Sequence, residues 1–207
     1  MEPATRSTDL RRGVSGYGVV VATAGAAGMT AALVLLYQGM AEIMATEGGF
    51  VASGGPYEIA HPAPGWVWMV PVSILALFAF GGLSLWASMR GWGTNPLTYA
   101  WSALFIALGW NFLRLGIFDR PEGLQGAWGW IVSGVAFWAM GLAPALGPMR
   151  RRLATARYGP DAARSGVTTG PFGLPRTPTS PAYVAAQVIG VIAGVVGGLA
   201  LFGMVAG

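Results

Sequence analysis

Three polar side chains at the edges of long apolar segments are the residues best placed for chemistry. Asn111 and Arg114 stand three positions apart in one such segment, which puts both on one face of a helix. Glu42 follows an earlier segment at a matching depth, where it could pair with Arg114. An ionisable group in a membrane span is a functional candidate by default. One hypothesis is therefore a polar gate or a solute-contacting site.

A structural hypothesis explains the same residues without any activity. Arg114 stands close to Asp119 and a loop, so its long side chain could reach the lipid headgroups at little cost. Asn111 would then bond the backbone of a neighbouring helix, as polar side chains do in membrane bundles. The sequence favours this second hypothesis.

The segment 47–66 is a second candidate site because it combines Gly pairs and several Pro residues with two polar side chains, Glu58 and His61. Gly permits backbone angles closed to other residues and Pro fixes others, so such a loop can fold tightly against the helix ends. A functional loop would be a lid or a docking surface with Glu58 and His61 as its polar groups. A structural loop would cap the bundle, and this alternative is favoured.

Other chemistries need residues that the chain does not offer. It has no Cys and a single His, which leaves too few ligands for a zinc site, and the His lies in a loop where it cannot ligate a haem inside a bundle. No Gly-x-Ser-x-Gly nucleophile motif occurs, and the acidic residues lie in tails, loops or helix ends. We therefore expect no catalytic residue, no cofactor and no metal, and we favour a non-enzymatic protein.

Long apolar stretches are the elements that must position these residues. The chain is 54% hydrophobic and 10% charged, whereas soluble domains carry about 25% charged residues. A helix needs about 20 residues to cross the ~30 Å hydrocarbon core of a bilayer. The sequence therefore predicts an all-α membrane protein, a bundle of about five transmembrane helices, at roughly residues 17–40, 66–88, 97–118, 127–147 and 183–205.

The distribution of Arg predicts the orientation of this bundle. All twelve basic residues are Arg, and ten of them fall on one side of the predicted spans. Because cytoplasmic loops are enriched in Lys and Arg, the N-terminus is predicted to be cytoplasmic and the C-terminus extracytoplasmic, in a bacterial cytoplasmic membrane. The predicted organisation is a tail at 1–16, a four-helix core at 17–147 with an extracytoplasmic Gly/Pro-rich loop at 44–65, an Arg- and Pro-rich cytoplasmic linker at 148–182, and a fifth helix at 183–207.

A stripe of small residues in the fifth segment predicts close helix packing. Ala186, Gly190, Gly194 and Gly198 recur every four positions, which puts them on one helical face where a partner backbone can come close. The sequence leaves open whether that partner is a helix of this chain or another protein. The first segment has a looser small-residue face through Gly18, Ala22, Gly25 and Gly28.

Three motifs in the middle of the chain stand out: Gly-Gly-Phe-Val-Ala-Ser-Gly-Gly-Pro-Tyr at 48–57, Trp-Ser-Ala-Leu-Phe-Ile-Ala-Leu-Gly-Trp-Asn-Phe-Leu at 101–113 and Trp-Gly-Trp-Ile at 128–131. Through these motifs, residues 47–140 resemble a group of uncharacterised actinobacterial membrane proteins. Members of the group carry Cys where this chain has Val51 and Ala63, a pair that would suit an extracytoplasmic disulfide, and both are absent here. Members also often carry an acidic residue at the position of Arg114. The resemblance implies no activity.

Three functional hypotheses follow from these features. The favoured one is association, as an accessory subunit or scaffold of a membrane complex. The alternative is a small oligomeric permease or channel whose outer mouth is lined by Glu42, Asn111 and Arg114, and an intramembrane enzyme is the least favoured. The expected partners are the lipid bilayer and other membrane proteins or a second copy. Nucleic acid is not expected, because the Arg residues adjoin apolar segments instead of forming one basic stripe.

Overall fold

The computed structural model describes residues 14–46, 64–94, 97–118, 128–143 and 179–207. This part of the chain is helical and contains no strand. Its helices are α1 (Gly16–Thr46), α2 (Met69–Met89), α3 (Leu97–Ile117), α4 (Trp128–Leu142) and α5 (Pro181–Ala206). The predicted all-α fold of about five helices is confirmed, and each helix overlaps one of the predicted segments.

Four of these helices are long and apolar enough to cross a membrane. They are α1, α2, α3 and α5, with mean hydropathies between 1.4 and 2.4. The chain is therefore a multi-pass membrane-embedded protein. By contrast, α4 has only 15 residues, which at about 1.5 Å per residue falls short of the ~30 Å hydrocarbon core. Most of the predicted extension of this span to residue 147 lies outside the described residues.

Helix α1 lies at the centre of the bundle. It packs against α5, α2 and α3, whereas α4 packs on α3 at the periphery. The buried residues of α1 are mostly small, including Ala22, Ala26 and Ala32. In lipid no hydrophobic effect draws helices together, so close backbone approach through small side chains supplies the packing energy. A helix with small residues on several faces is therefore suited to the central position.

Helices α1 and α5 run parallel to each other. Gly190 faces Thr23, and Gly198, eight residues further along α5, faces Ala31 and Val34, which lie eight and eleven residues further along α1. The Tyr183 hydroxyl accepts a hydrogen bond of 2.9 Å from the backbone N–H of Ser15, so the two helices also begin at the same end of the bundle.

The remaining helices alternate in direction. Gly18 lies beside Trp92 and Gly39 beside Val70, so α2 runs antiparallel to α1. In the same way α4 runs antiparallel to α3. The end of the bundle at which α1, α3 and α5 begin is called the starting end here, and the opposite end is called the far end. This alternation is what five successive crossings of a membrane would require.

The outward surface of the bundle is strongly apolar. Phe78 and Leu75 on α2 are 75% and 68% exposed, and the exposed side of α5 is lined by Val, Ile and Leu. Most buried residues of α2 are small or polar instead, such as Ser73, Gly81 and Ser84, although the ring of Phe80 packs on Gly28 of α1. This inversion, with large apolar residues outside and small ones inside, is the arrangement expected when lipid is the solvent.

Candidate functional site

The intramembrane asparagine serves as a link between two helices. Asn111 on α3 is 3% exposed, and its Nδ2 donates a hydrogen bond of 3.4 Å to the backbone carbonyl of Tyr37 on α1. A carbonyl already bonded within its own helix can accept this second donor. The amide thus meets a neighbouring backbone, which is the arrangement described by the structural hypothesis for this residue.

The two charged candidates lie at the far end of neighbouring helices. Glu42 stands five residues beyond Tyr37, and Arg114 stands three residues beyond Asn111. At about 1.5 Å per residue, they lie roughly 7 and 5 Å further along their helices than the Asn111–Tyr37 bond. Both residues are exposed on the bundle surface. The structure therefore brings Glu42, Asn111 and Arg114 to one region, and the ion pair between the two charges stays a prediction.

The loop candidates cannot be placed in this way. Glu58 and His61 lie outside the described residues, as do Val51 and Ala63, where the resembling proteins carry Cys. The proposals of a lid, a docking surface or a structural cap for this loop stay predictions.

The glycine stripe of α5 packs against α1 of the same chain. Gly190, Gly194 and Gly198 are all buried and all face α1. A Cβ on Gly190 would lie 2.5 Å from the carbonyl oxygen of Thr23, and one on Gly194 would collide with the carbonyl oxygen of Ala27. The helices approach until backbone meets backbone, so this face has no room for another protein.

The same close approach joins α3 to α4. A Cβ on Gly109 would lie 2.7 Å from the carbonyl oxygen of Gly134, and one on Gly134 would lie 2.9 Å from that of Gly109. These glycines stand on both helices at the point of closest contact. Sequence analysis identified no stripe here because the glycines of each helix recur at seven positions, as Gly109 with Gly116 and Gly134 with Gly141, and not at four.

Two indole N–H groups form hydrogen bonds across this contact, one from each helix. The Nε1–H of Trp138 on α4 donates to the carbonyl of Ile106 on α3 at 3.0 Å, and the Nε1–H of Trp101 on α3 donates to the carbonyl of Met140 on α4 at 3.3 Å. An indole N–H without a partner in hydrocarbon would be costly. These tryptophans therefore serve helix packing as well as the lipid boundary that their type suggests.

No family model matches this chain, and neither does any curated protein or solved structure. The resemblance to actinobacterial membrane proteins therefore stays a prediction. Any function has to be inferred from the residues and their geometry.

A buried polar joint at the starting end was missed by sequence analysis. Gln187 on α5 is 8% exposed, and its Oε1 accepts hydrogen bonds from both the backbone N–H and the Oγ1 of Thr94, each 2.9 Å long. Its Nε2 donates to the carbonyl oxygen of Thr94, also at 2.9 Å. One amide side chain thus satisfies both backbone groups of a single residue. We call this set of bonds the Gln187 joint.

The Gln187 joint fixes the turn between α2 and α3 against α5. Gly93, next to Thr94, has a φ of 139°, an angle that favours glycine. A Cβ there would lie 2.6 Å from the Nε2 of Gln187, so a larger residue would also displace the amide of the joint. The Oγ1 of Thr179, just before α5, donates to the carbonyl of Gly93 at 3.1 Å. Helices that are distant in sequence are therefore tied together at this end.

A sequence signal for the joint existed in part. Gln187 is a polar residue nearly two turns inside an apolar helix, as Asn111 is, and could have been singled out by the same argument. Its partner Thr94 lies in a turn far away in sequence, with no pattern to connect the two. The sequence could therefore have indicated Gln187 as a buried polar residue, but not its hydrogen bonds to Thr94.

Three of the buried polar side chains in the described residues, Ser88, Asn111 and Gln187, bond the backbone of a helix or turn. Asn111 and Gln187 bond the backbone of another element, and Ser88 donates within its own helix to Leu85. The buried Oγ of Ser84 has no hydrogen-bond partner among the described residues. No group of three or more His, Cys, Asp or Glu residues in this part of the chain could hold a metal ion. The arrangement is suited to holding helices at fixed distances.

Proposed function

We propose that this chain acts by association in the membrane, as an accessory subunit or scaffold of a membrane complex. The observation that carries the proposal is how the buried amides are used. Asn111 and Gln187 each bond the backbone of a different element. A transporter needs helices that move apart, whereas these bonds and the backbone contacts along α1 and α5 favour a fixed bundle.

The orientation of the bundle follows from the same proposal. The described helix ends connect to residues 1–13 and 144–178 at the starting end, and these two segments contain nine Arg residues. Arg90, which follows α2, lies at this end as well. By the positive-inside rule the starting end faces the cytoplasm. The bacterial cytoplasmic membrane is the membrane that we propose.

The outward stripe of α3 is the proposed partner surface. Its exposed residues recur at helical spacing along the whole helix: Tyr99, Ala103, Ile106, Trp110, Arg114 and Ile117. This stripe combines aromatic rings with a charge, whereas the exposed face of α5 is purely apolar. Aromatic residues and Arg are enriched at protein interfaces. The adjacent helix α4 is also short for the bilayer, a mismatch that association can relieve.

Site-specific photocrosslinking in native membranes tests the proposed surface. A photoreactive phenylalanine analogue at Trp110 is expected to give a discrete protein adduct, because this position faces a partner. The same analogue at Ile192, on the 60% exposed face of α5, is the matched control and is expected to label lipid only. If both positions label only lipid, the α3 stripe does not bind a protein and the proposal fails.

A permease is the second candidate, because Glu42 and Arg114 lie exposed at the same end of adjacent helices. Under the association proposal, the double change Asn111→Ala/Arg114→Ala leaves solute flux in proteoliposomes equal to that of the wild type. Any flux is measured against protein-free vesicles for a panel of small ions and neutral solutes. A flux that the wild type supports and the double variant loses would favour the permease.

A further inference from the structure

An arginine held against two indole rings lies at the starting end. The guanidinium carbon of Arg90 is 4.3 Å from the ring centroid of Trp86 and 5.4 Å from that of Trp92. The two indoles stand nearly perpendicular, with an interplanar angle of 81°. Cation–π contacts occupy the flat face of a guanidinium, whereas its N–H donors lie in the plane at its edge. Because the two rings are nearly perpendicular, the planar guanidinium can lie flat on at most one of them, and the N–H donors that do not face a ring remain for another group.

The position of this guanidinium is fixed by the surrounding backbone. The N–H of Trp92 donates to the carbonyl of Ala87 at 2.9 Å, which folds the chain back at the end of α2. The Trp92 ring also packs edge-on against Tyr17 at 5.5 Å and covers Gly18 on α1. Two residues further on, the Gln187 joint ties the turn to α5. Arg90 therefore lies at the start of an ordered turn that follows α2.

The charges at this end favour an anion. Within the described residues, Glu42 is the one acidic side chain, and it lies near the far end of α1. No described acidic group can therefore neutralise Arg90. In sequence the adjoining segments 1–13 and 144–178 contain nine Arg residues against three acidic residues, and the first-turn N–H groups of α1, α3 and α5 are directed toward the same end.

A shallow apolar strip leads from Arg90 along α2 toward the middle of the bilayer. Leu75, Ala79, Gly82, Trp86 and Arg90 recur every three or four positions, so they share one helical face. The first three are exposed, and a Cβ added at Gly82 would meet no atom within 4 Å. The absence of side-chain bulk at Gly82 leaves room for an extended hydrocarbon chain between Trp86 and Leu75.

We propose that Arg90 binds the phosphate of an anionic glycerophospholipid, one acyl chain of which lies along Leu75, Ala79 and Gly82. Guanidinium groups bind phosphate through paired N–H donors, and basic sites beside membrane helices bind anionic headgroups. Inorganic phosphate could engage Arg90 alone, but it would gain nothing from the apolar strip. The site is separate from the α3 stripe, so it stands whether or not the association proposal holds.

Lipid retention by the purified full-length protein tests this site. Delipidated protein in detergent is titrated with phosphatidylglycerol or phosphatidylcholine, and bound lipid is counted by native mass spectrometry. Arg90→Gln is expected to weaken phosphatidylglycerol binding about fivefold, the contribution of roughly one Arg near a membrane surface. Gly197→Leu adds an apolar side chain to the exposed face of α5, away from Arg90, and is the control for which binding is expected to equal that of the wild type.

A second variant keeps the result decisive if Arg90→Gln fails to fold. Gly82→Leu leaves Arg90 in place, projects into open space, and is expected to weaken phosphatidylglycerol binding by filling the strip. Wild-type retention of phosphatidylglycerol by either folded variant would overturn the proposal. So would equal binding of phosphatidylcholine, or a thermal stabilisation by inorganic phosphate equal to that by phosphatidylglycerol.

Discussion

Replacing Gly194 by leucine is expected to destabilise the folded bundle by more than about 3 kcal/mol. A Cβ at this position collides with the backbone carbonyl of Ala27 and would lie 2.8 Å from the Cβ of Thr30. Neither obstacle is the end of a flexible side chain, so α1 and α5 would have to separate along their length. Because α1 is the central helix, this separation would also disturb its contacts with α2 and α3. Unfolding of the detergent-solubilised protein by heat or by a denaturing detergent measures the change.

Gly197→Leu is the matched control for this experiment. Gly197 stands three residues from Gly194 in the same helix, is exposed, and has no atom within 4 Å of an added Cβ. Leucine there is expected to leave stability unchanged or to raise it by up to about 1 kcal/mol, because leucine favours helix more than glycine does. Equal stability of the two variants would contradict the parallel packing of α5 on α1.

The helices could be predicted from sequence because lipid imposes a simple rule. A backbone in hydrocarbon has to satisfy its own hydrogen bonds, so an apolar stretch of about 20 residues becomes a helix. Segments such as 183–205 and 66–88 therefore correspond to α5 and α2 within a few residues. Helix α4 shows the limit of this argument. Apolar composition continues to about residue 147, whereas the described helix ends at Leu142.

The partner of each helical face could not be predicted in the same way. The spacing of Gly190, Gly194 and Gly198 indicates close packing, but the same spacing would serve a contact within the chain or between chains. The structure selects α1, whose Thr23, Ala27 and Thr30 are small enough to admit α5. Which helices meet depends on the packing of the whole bundle, and a single sequence carries no local signal for it.

The geometry of the candidate polar site depends in the same way on contacts between distant segments. The burial of Asn111 followed from its place in an apolar span, and its carbonyl partner is of the kind expected. Gln187 forms three hydrogen bonds of 2.9 Å and is the better satisfied of the two amides. Asn111 was the easier residue to single out from the sequence, because it stands three positions from the charged Arg114. Charge is conspicuous in a sequence, whereas hydrogen-bond complementarity appears only when distant segments meet.

Gln187→Leu is expected to lower the free energy of unfolding by about 2–4 kcal/mol, since three hydrogen bonds are lost at roughly 1 kcal/mol each. Leucine keeps the apolar packing, so the change isolates the polar joint. Thr94→Val is the matched control: it removes only the bond from Oγ1 and should cost about 1 kcal/mol. Amide hydrogen exchange provides a local measurement, because the backbone N–H of Thr94 loses its acceptor in Gln187→Leu and keeps it in Thr94→Val. If exchange at Thr94 is equally slow in both variants, the joint does not hold the turn against α5, and the ordered display of Arg90 would need another explanation.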